Sequence, residues 1–325
     1  MTYRYPFPPY ADGWFQVAYA DEIGVGESMP LSYFGTELVL FRDESGKAHV
    51  LDAYCPHLGA HLGHGGKVVG DCIECPFHAW KFNGAGECTE VPYAKRIPPK
   101  AKIKPWHMRE VNGMIMVWHH GGGSEPTWEP PIFSEFDDDA WTDYSTRKWK
   151  VRAHNQEMAE NAVDSAHFRY LHGTQDMPEM EAQRNGHILT MHADTKMRAY
   201  GTVVTGALDV NCYGFGYSTT RFTGIVETFL IGSVVPVDEH HVELRFSFTV
   251  KKGPNDMVTN TVAERFQAEI ESQLEADIPI WENKIFLERP MLCDGDGPIG
   301  VFRKWSRQFY SMPLPDGTYY RRASK

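Results

Sequence analysis

Two short segments of the chain each offer one thiolate and one imidazole. The first contains Cys55 and His57, separated by one residue, and the second contains Cys75 and His78, separated by two. Four ligands of these types suit either a structural zinc ion or an iron–sulfur cluster. Zinc sites usually pair two Cys first and two His afterwards, whereas each segment here mixes both types. The mixture favours a [2Fe–2S] cluster in which the Cys hold one iron and the His hold the other.

The residues around these ligands support tight loops. Pro56 and Pro76 follow the two Cys directly and fix the φ angle there, and Gly59 allows close backbone approach to the sulfides. The nearby His61 and His64 are expected to be structural or surface residues, because the ligand set is complete without them.

A second group of candidate ligands lies about 85 residues further on. Asn161, Asp164 and His167 recur every three residues, so on a helix of about 3.6 residues per turn they follow one side. His172 lies five residues after His167, about 140° round an ideal helix. Both rings reach one metal only if the segment bends or ends there, and Gly173 offers such an end.

Two His and a carboxylate from elsewhere form the facial triad of non-haem Fe(II) oxygenases, which leaves coordination positions open for O₂ and substrate. The alternative is that His167 and His172 are packing or capping residues of a helix. Their position downstream of a cluster motif favours the iron site.

Composition narrows the class of protein. A chain of 325 residues can form two domains, and 42% hydrophobic and 23% charged residues are globular values. A net charge of −11 argues against nucleic acid as a partner. Six Cys do not suggest a disulfide framework, and no apolar run or signal-peptide pattern is evident, so a cytoplasmic protein is expected.

The first third of the chain reads as short strands. Tyr33–Arg42 and Ala48–Ala53 are rich in β-forming residues, with a hairpin turn at Asp43–Gly46 between them. Met114–His119 reads as a last buried strand before a run of Gly and Pro. These patterns predict a small all-β domain over residues 1–123.

The remaining residues, 124–325, form the second predicted domain. Ile188–Thr205, Thr219–Val237 and His241–Lys251 read as strands, and Val258–Glu275 has helical periodicity.

A basic segment follows the second ligand pair. Residues 94–105 contain no acid, in an otherwise acidic chain, and five bases: Lys95, Arg96, Lys100, Lys102 and Lys104. A solvated face or a subunit contact is one interpretation. The other is a docking patch for an acidic electron carrier, because complementary charges steer such encounters.

The order and spacing of the two motifs resemble those of the alpha subunits of Rieske non-haem iron oxygenases over nearly the whole chain. The resemblance implies an α+β protein, in which an all-β Rieske [2Fe–2S] domain precedes a helix-grip (START-like) catalytic domain with an antiparallel sheet round a long helix. It implies these iron ligands: Cys55, His57, Cys75 and His78 for the cluster, and His167 and His172 for a mononuclear Fe(II).

Later segments are similar to one group of that family, the 3-ketosteroid 9α-hydroxylase oxygenases and the sterol 7-desaturases. The similar segments are Glu275–Lys284, Arg289–Pro298 and Phe302–Tyr310. The resemblance places the third iron ligand at Asp277. Pro279 lacks an amide donor and would disturb the preceding turn, which helps to aim Asp277 inward.

This resemblance implies a monooxygenase that uses O₂ to hydroxylate or desaturate a bulky apolar substrate, such as a steroid or sterol. The chain has no Gly-x-Gly-x-x-Gly after a strand, so NAD(P)H would act only indirectly, through a ferredoxin, a flavin-dependent ferredoxin reductase or both. The family also implies a homotrimer, in which Asp164 bridges His78 of a neighbouring subunit to His167. Asn161, beside the iron ligands, is the other residue expected to act in catalysis.

Three alternatives stay open at the level of sequence. Within the same chemistry, the substrate is an aromatic acid or a methoxy or N-methyl compound. In other classes, the protein is a Rieske electron carrier without catalysis, or a lipid-binding helix-grip module without redox activity. The aromatic residues of Cys212–Tyr217, with Phe222 and Phe229, either line an apolar pocket or form ordinary core.

Overall fold

The computed structural model describes residues 4–173, 179–199, 202–224, 226–313 and 320. The chain divides into two compact units. The smaller unit comprises Trp14–Trp118 and Glu125–Pro130, and the larger comprises Met1–Gly13, His119–Ser124 and Pro131–Lys325.

The smaller unit consists of short strands in three sheets. The strands are β1 Gly13–Tyr19, β2 Ser28–Tyr33, β3 Thr36–Arg42, β4 Ala48–Asp52, β5 Lys67–Val69, β6 Cys72–Glu74, β7 Lys81–Asn83, β8 Cys88–Glu90, β9 Met108–Val111 and β10 Met114–His119. Their order in the sheets is β1-β10-β9, β2-β3-β4 and β5-β6-β7-β8. A single 3₁₀ turn, Ala20–Glu22, is the only helical element of this unit in the described part of the chain. The prediction of an all-β first domain is confirmed.

Turn residues decide where these strands end. The predicted hairpin turn at Asp43–Gly46 is present, with Gly46 at φ +90°. The prediction of one strand over Tyr33–Arg42 is wrong, because Phe34 and Gly35 have φ angles of 55° and 64°. Two successive positive φ angles reverse the chain as in a type I′ turn, so β2 and β3 form a hairpin.

The described residues of the larger unit form one antiparallel sheet and four α-helices. Its elements are β11 Ser145–Val151, α1 Asn155–Glu160, α2 Ser165–Tyr170, β12 Glu181–Asn185, β13 Ile188–Ala199, β14 Thr202–Tyr213, β15 Tyr217–Phe222, β16 Thr228–Pro236, β17 Val242–Val250, α3 Asp256–Asn283 and α4 Ile299–Ser306, with 3₁₀ turns at Ser134–Phe136, Asn161–Val163 and Arg307–Phe309. The sheet order is β11-β17-β16-β15-β14-β13-β12. This sheet and the 28-residue α3 confirm the predicted α+β class.

Three of the element bounds predicted for the larger unit are wrong. The prediction of one strand over Ile188–Thr205 is wrong, because this range spans parts of the paired β13 and β14. Residues 200–201 between them lie outside the described residues. Thr219–Val237 likewise divides into β15 and β16. Helix α3 begins earlier than predicted, where Asn255 caps it by accepting the Val258 N–H, and it continues through Pro279.

The N-terminal segment belongs to the larger unit, although the predicted boundary after residue 123 assigned it to the first domain. The Arg4 guanidinium donates to the carbonyls of Trp281 and Glu282 at 3.0 and 2.7 Å. These carbonyls lie in the last turn of α3, where no intrahelical donor remains. Phe7 is fully buried and packs on His154 and Tyr310. The segment therefore stabilises the end of the long helix.

Candidate metal centres and apolar cavity

The two Cys–His segments adopt the same backbone turn. In the first, the Gly59 N–H donates to the Cys55 carbonyl at 3.0 Å and the Cys55 N–H donates to Ala60 at 2.9 Å. In the second, Ala79 and Trp80 make the equivalent bonds with Cys75, at 3.0 and 2.8 Å. Each turn has a positive φ at its fifth residue, +75° at Gly59 and +57° at Ala79.

The four side chains of these turns meet as two pairs. Cys55 and Cys75 are buried, and burial, together with the neighbouring Cys75 thiol, raises the pKa of Cys55 to about 11. The rings of His57 and His78 lie 4.7 Å apart. Their Nδ1 atoms are buried and have no hydrogen-bond partner in the described residues. Buried nitrogens of this kind fit ligation of a metal.

The spacing of these ligands fits two irons better than one zinc. Tetrahedral zinc with bonds of about 2.0–2.3 Å needs ligand atoms roughly 3.3–3.8 Å apart. Within the described ranges, only His167, His172 and Asp277 form a group of three or more whose ligand atoms all lie within 4.8 Å. The four cluster residues are more widely spread, as a binuclear cluster requires.

Two aromatic residues that the sequence motifs do not indicate lie against the cluster ligands. The Trp80 indole stacks on the His57 ring at 4.6 Å and 7°, and its Nε1–H donates to the Tyr93 hydroxyl at 2.8 Å. Leu58 and Phe77, beside the two His, are 64% and 60% exposed. The His end of the site is therefore apolar and close to the surface.

The second motif is not one continuous helix, contrary to the expectation from its three-residue spacing. Helix α1 passes into the 3₁₀ turn Asn161–Val163, and Asp164 then adopts extended angles of −89° and 97° before α2 begins. The break brings the Asn161 amide and the His167 ring within 3.1 Å of each other. The predicted end near Gly173 is confirmed, because α2 stops at Tyr170 and Gly173 has a φ of +71°.

The expected third ligand, Asp277, approaches from α3. Its Oδ2 lies 3.5 Å from Nε2 of His172, and the side chains are 10% and 2% exposed, respectively. The rings of His167 and His172 are 4.9 Å apart. Burial raises the pKa of Asp277 to about 7. A carboxylate removed from water beside two imidazoles fits a cation, because isolated buried charge is costly.

Asn161 and Asp164 orient this site. The Asn161 Nδ2 lies 3.1 Å from both the Asp277 carboxylate and Nε2 of His167. Nδ1 of His167 donates to the Asp164 backbone carbonyl at 2.5 Å, which leaves Nε2 as the ligating nitrogen. The Asp164 carboxylate caps α2 by accepting the Ala166 N–H at 3.1 Å. Within the chain, His167 thus contacts the main chain of Asp164 and not its carboxylate.

An apolar cavity of about 220 Å³ opens beside the three candidate ligands. Inward-facing residues of β14 to β17 form its wall, and Ile270, Leu274 and Trp281 of α3 form its cover. Of the aromatic residues considered from sequence, Phe215, Tyr217 and Phe222 line the cavity. Phe229 does not, and it packs on Trp141 and Phe133 instead.

The basic segment of the smaller unit is mostly exposed. Lys102 pairs with Glu87 at 3.4 Å, and the Lys104 ammonium lies 4.3 Å from the centre of the Trp106 ring. Three other bases make no ion pair with any described residue: Lys95, Arg96 and Lys100.

None of the described helices combines the length and the apolar character that crossing a bilayer would require.

Two families match the chain. Residues 13–104 match the Rieske [2Fe–2S] domain, and residues 117–310 match the 3-ketosteroid 9α-hydroxylase C-terminal domain.

Relatives of known activity match along most of their length. The chain is 36% identical to the oxygenase component of a 3-ketosteroid-9-alpha-monooxygenase of Rhodococcus rhodochrous, over 95% of this chain and 86% of the relative. It is 33% identical to cholesterol 7-desaturase nvd of Xenopus laevis, over 96% and 74%.

Solved structures share the fold. Dicamba monooxygenase bound to dicamba superposes with a TM-score of 0.76 at 18% identity, over 91% of this chain and 96% of that one. NdmA of Pseudomonas putida CBB5 with caffeine gives 0.76 at 20% identity, over 90% and 89%.

Proposed function

The chain belongs to the Rieske non-haem iron oxygenases with a 3-ketosteroid 9α-hydroxylase C-terminal domain, and from this we propose that it hydroxylates or desaturates a steroid or sterol. The observation that carries the proposal is the meeting of His167, His172 and Asp277 in the lining of a mostly apolar cavity. A facial triad beside such a cavity suits oxidation of an unactivated carbon.

The seven proposed ligands divide between the cluster and the mononuclear iron. Cys55 and Cys75 would hold one cluster iron, His57 and His78 the other, and His167, His172 and Asp277 the mononuclear Fe(II). When bound, these centres supply O₂ activation and the electrons for it. The residues of this chain position the groups: the Asp164 carbonyl selects the His167 tautomer, and Asn161 holds the Asp277 carboxylate towards the imidazoles.

The cavity favours a bulky apolar substrate over an aromatic acid. No Lys or Arg occurs among the described residues that line it. A substrate carboxylate would therefore be buried without a cationic partner, which is costly. The apolar wall instead gains free energy from an apolar substrate, at about 25 cal/mol per Å² of surface removed from water.

Electrons come from a separate protein, since the 3-ketosteroid-9-alpha-monooxygenase relative is the oxygenase component of its system. We propose that a ferredoxin or ferredoxin reductase with an acidic face docks beside the cluster, at Lys95, Arg96 and Lys100. We also propose a homotrimer in which the Asp164 carboxylate bridges His78 of a neighbouring subunit to His167. The support within this chain is that Asp164 Oδ2 makes no hydrogen bond to a described residue, while Oδ1 caps α2.

Iron counting and a substrate screen test this proposal. Protein loaded without oxygen should contain three irons per chain and show the absorption and EPR spectra of a mixed-ligand [2Fe–2S] cluster. With a surrogate reductase, steroids or sterols should stimulate NADH use and yield products that are one oxygen atom heavier or two hydrogens lighter.

The control is His167→Ala, which should keep the cluster spectrum while losing one iron and all turnover. Two irons in the wild-type protein would indicate an electron carrier. Formaldehyde release from methoxy or N-methyl compounds, with no steroid product, would show that the substrate belongs to that class and is not a steroid or sterol.

A further inference from the structure

Apart from the metal site, the polar side chains that line the cavity are those of Asn155 and Gln273 on the helices and those of Tyr217, Ser218 and Thr220 on β15. Strand β15 directs Ser218 and Thr220 into the cavity, whereas Thr219 between them faces the opposite side of the sheet. The neighbouring inward residues on β14 and β16 have no side-chain hydroxyl. They are Leu208, Val210 and Cys212 on β14, and Leu230, Gly232 and Val234 on β16.

The two hydroxyls are available to a ligand. The Thr220 hydroxyl makes no hydrogen bond within the part of the chain that the structure describes. The Ser218 hydroxyl reaches only the Gly232 carbonyl, at 3.4 Å, beyond the usual 2.5–3.0 Å or so for such a bond. A hydroxyl in an apolar wall without a strong partner binds an incoming oxygen well, because the oxygen removes an unsatisfied group.

Gly232 keeps the Ser218 hydroxyl uncovered. It pairs with Ser218 across the strands, and a Cβ at this position would crowd the Ser218 hydroxyl at 3.1 Å and the Phe246 ring at 3.4 Å. A side chain at position 232 would therefore cover this hydroxyl, which glycine leaves open to the cavity. We call Ser218, Thr220 and Gly232 the polar notch.

The notch and the metal ligands belong to different elements around the cavity. His167 lies in α2, His172 follows it and Asp277 lies in α3, whereas the notch is formed by β15 and β16. Leu274 and Trp281, on either side of Asp277, lie in one buried cluster with Leu244, and Phe246, the partner of Gly232, packs against it. The cluster thus extends to the level of Ser218, and Thr220, opposite Leu230, lies roughly 7 Å further along the sheet.

We propose that the polar notch binds a carbonyl or hydroxyl oxygen at the end of the substrate remote from the reacting carbon. This inference rests on the proposed function and adds a specificity determinant to it. An elongated apolar molecule anchored there would present a fixed carbon to the iron site. The same molecule without the oxygen would bind more weakly and in several positions.

Equilibrium dialysis of the fully loaded protein, without oxygen, tests the notch. The probes are a steroid with a carbonyl at C3, its 3-hydroxy counterpart and its 3-deoxy counterpart. The oxygenated probes should bind about fivefold or more tighter than the deoxy probe, the usual effect of one net hydrogen bond. Comparison of the carbonyl and hydroxyl probes identifies the preferred group.

Variants assign the preference to the notch. Thr220→Val removes one hydroxyl while keeping the shape, and Ser218→Ala removes the other. Both variants should reduce the ratio of the affinities for the oxygenated and deoxy probes towards one. Neither variant should change binding of the deoxy probe. Thr219→Val is the matched control on the opposite face and should keep the wild-type ratio. Equal affinities in the wild type, or an unchanged ratio in both notch variants, would overturn the inference.

Failure of the proposed function has a different signature. Preferential binding of the oxygenated probes without turnover would refute the reaction and leave the notch intact. Turnover of all three probes at equal affinity would refute the notch alone, and no binding of any probe would refute both.

Discussion

Asp164 combines two roles that depend on different atoms. Its carbonyl sets the His167 tautomer and its Oδ1 caps α2, so the residue contributes to the local fold whatever its carboxylate does between subunits. A substitution that keeps the shape of Asp164 but removes its charge separates these local contacts from the proposed bridge between subunits.

Asp164→Asn should leave stability within about 0.5 kcal/mol of wild type, because Asn caps helices as well as Asp does. Both metal centres should load. If the carboxylate bridges His78 and His167 of adjacent subunits, transfer from the reduced cluster to the iron should slow greatly, since groups beyond the ligands orient and tune them. Single-turnover oxidation of the pre-reduced cluster measures this. Oxidation at the wild-type rate would exclude the bridge.

At the level of elements, the break between α1 and α2 is held by close packing from a distant loop. A Cβ at Gly297 would lie 1.9 Å from the Val163 carbonyl and 3.0 Å from the Ser165 hydroxyl. Only glycine allows this approach, so the loop before α4 helps to fix the position of Asn161.

Gly297→Ala should therefore displace the turn at Val163, lower stability by about 1–3 kcal/mol and weaken loading of the mononuclear iron. Gly300→Ala is the matched control, because its Cβ would meet nothing within 4 Å and it lies in α4. This control should gain about 0.5–1 kcal/mol from helix propensity. Urea unfolding and iron per chain are the measurements. Equal behaviour of the two variants would contradict the packing argument.

The start of α1 carries a pH-dependent contribution to stability. His154 caps the helix by accepting the Gln156 N–H at Nδ1, and its Nε2–H donates to Pro8. Burial lowers the pKa of His154 to about 3. The unfolded chain takes up this proton near pH 6.5 and the folded chain does not, so stability falls as the pH falls from about 6.5 towards 3.

His154→Asn keeps a capping side chain without the titration. Between pH 7 and pH 5 the wild type should lose about 2 kcal/mol more stability than the variant, from about 1.4 kcal/mol per pH unit below 6.5. Urea unfolding at both pH values gives the comparison. Parallel losses in the two proteins would show that His154 is not the titrating group.

At the scale of the whole molecule, charge distribution bears on the electron donor. The chain carries a net charge of −11, yet its basic segment lies just after the second cluster turn in the sequence. Lys102 and Lys104 have local partners, whereas Lys95, Arg96 and Lys100 make no ion pair with a described residue, so these three are the better candidates for an encounter surface.

Reversing Lys95, Arg96 and Lys100 to Glu should slow reduction of the cluster by an acidic ferredoxin and weaken the salt dependence of that rate. The cluster spectrum should not change. The matched control reverses the exposed Lys47, Lys150 and Arg184, which alters net charge equally. Stopped-flow reduction at two ionic strengths measures both proteins. An equal effect of the two triple variants would assign the change to net charge and not to docking.

The sequence by itself predicts the local chemistry. The spacing of Cys, His, Asn and Asp predicts both candidate metal centres, and Gly46 marks the turn at Asp43–Gly46, where its φ is positive. These features depend on a few adjacent residues, and their geometry follows from backbone sterics and ligand preference.

Only the tertiary structure decided how distant parts meet. Asp277 lies 105 or more residues from the two His that it joins, and its place depended on resemblance because spacing carries no information over that range. The helix break at Asp164, the inclusion of Arg4 and Phe7 in the larger unit and the inward direction of Ser218 and Thr220 were not predicted. Each is set by packing against residues far along the chain, since a local pattern specifies the period of an element and not the surface that it covers.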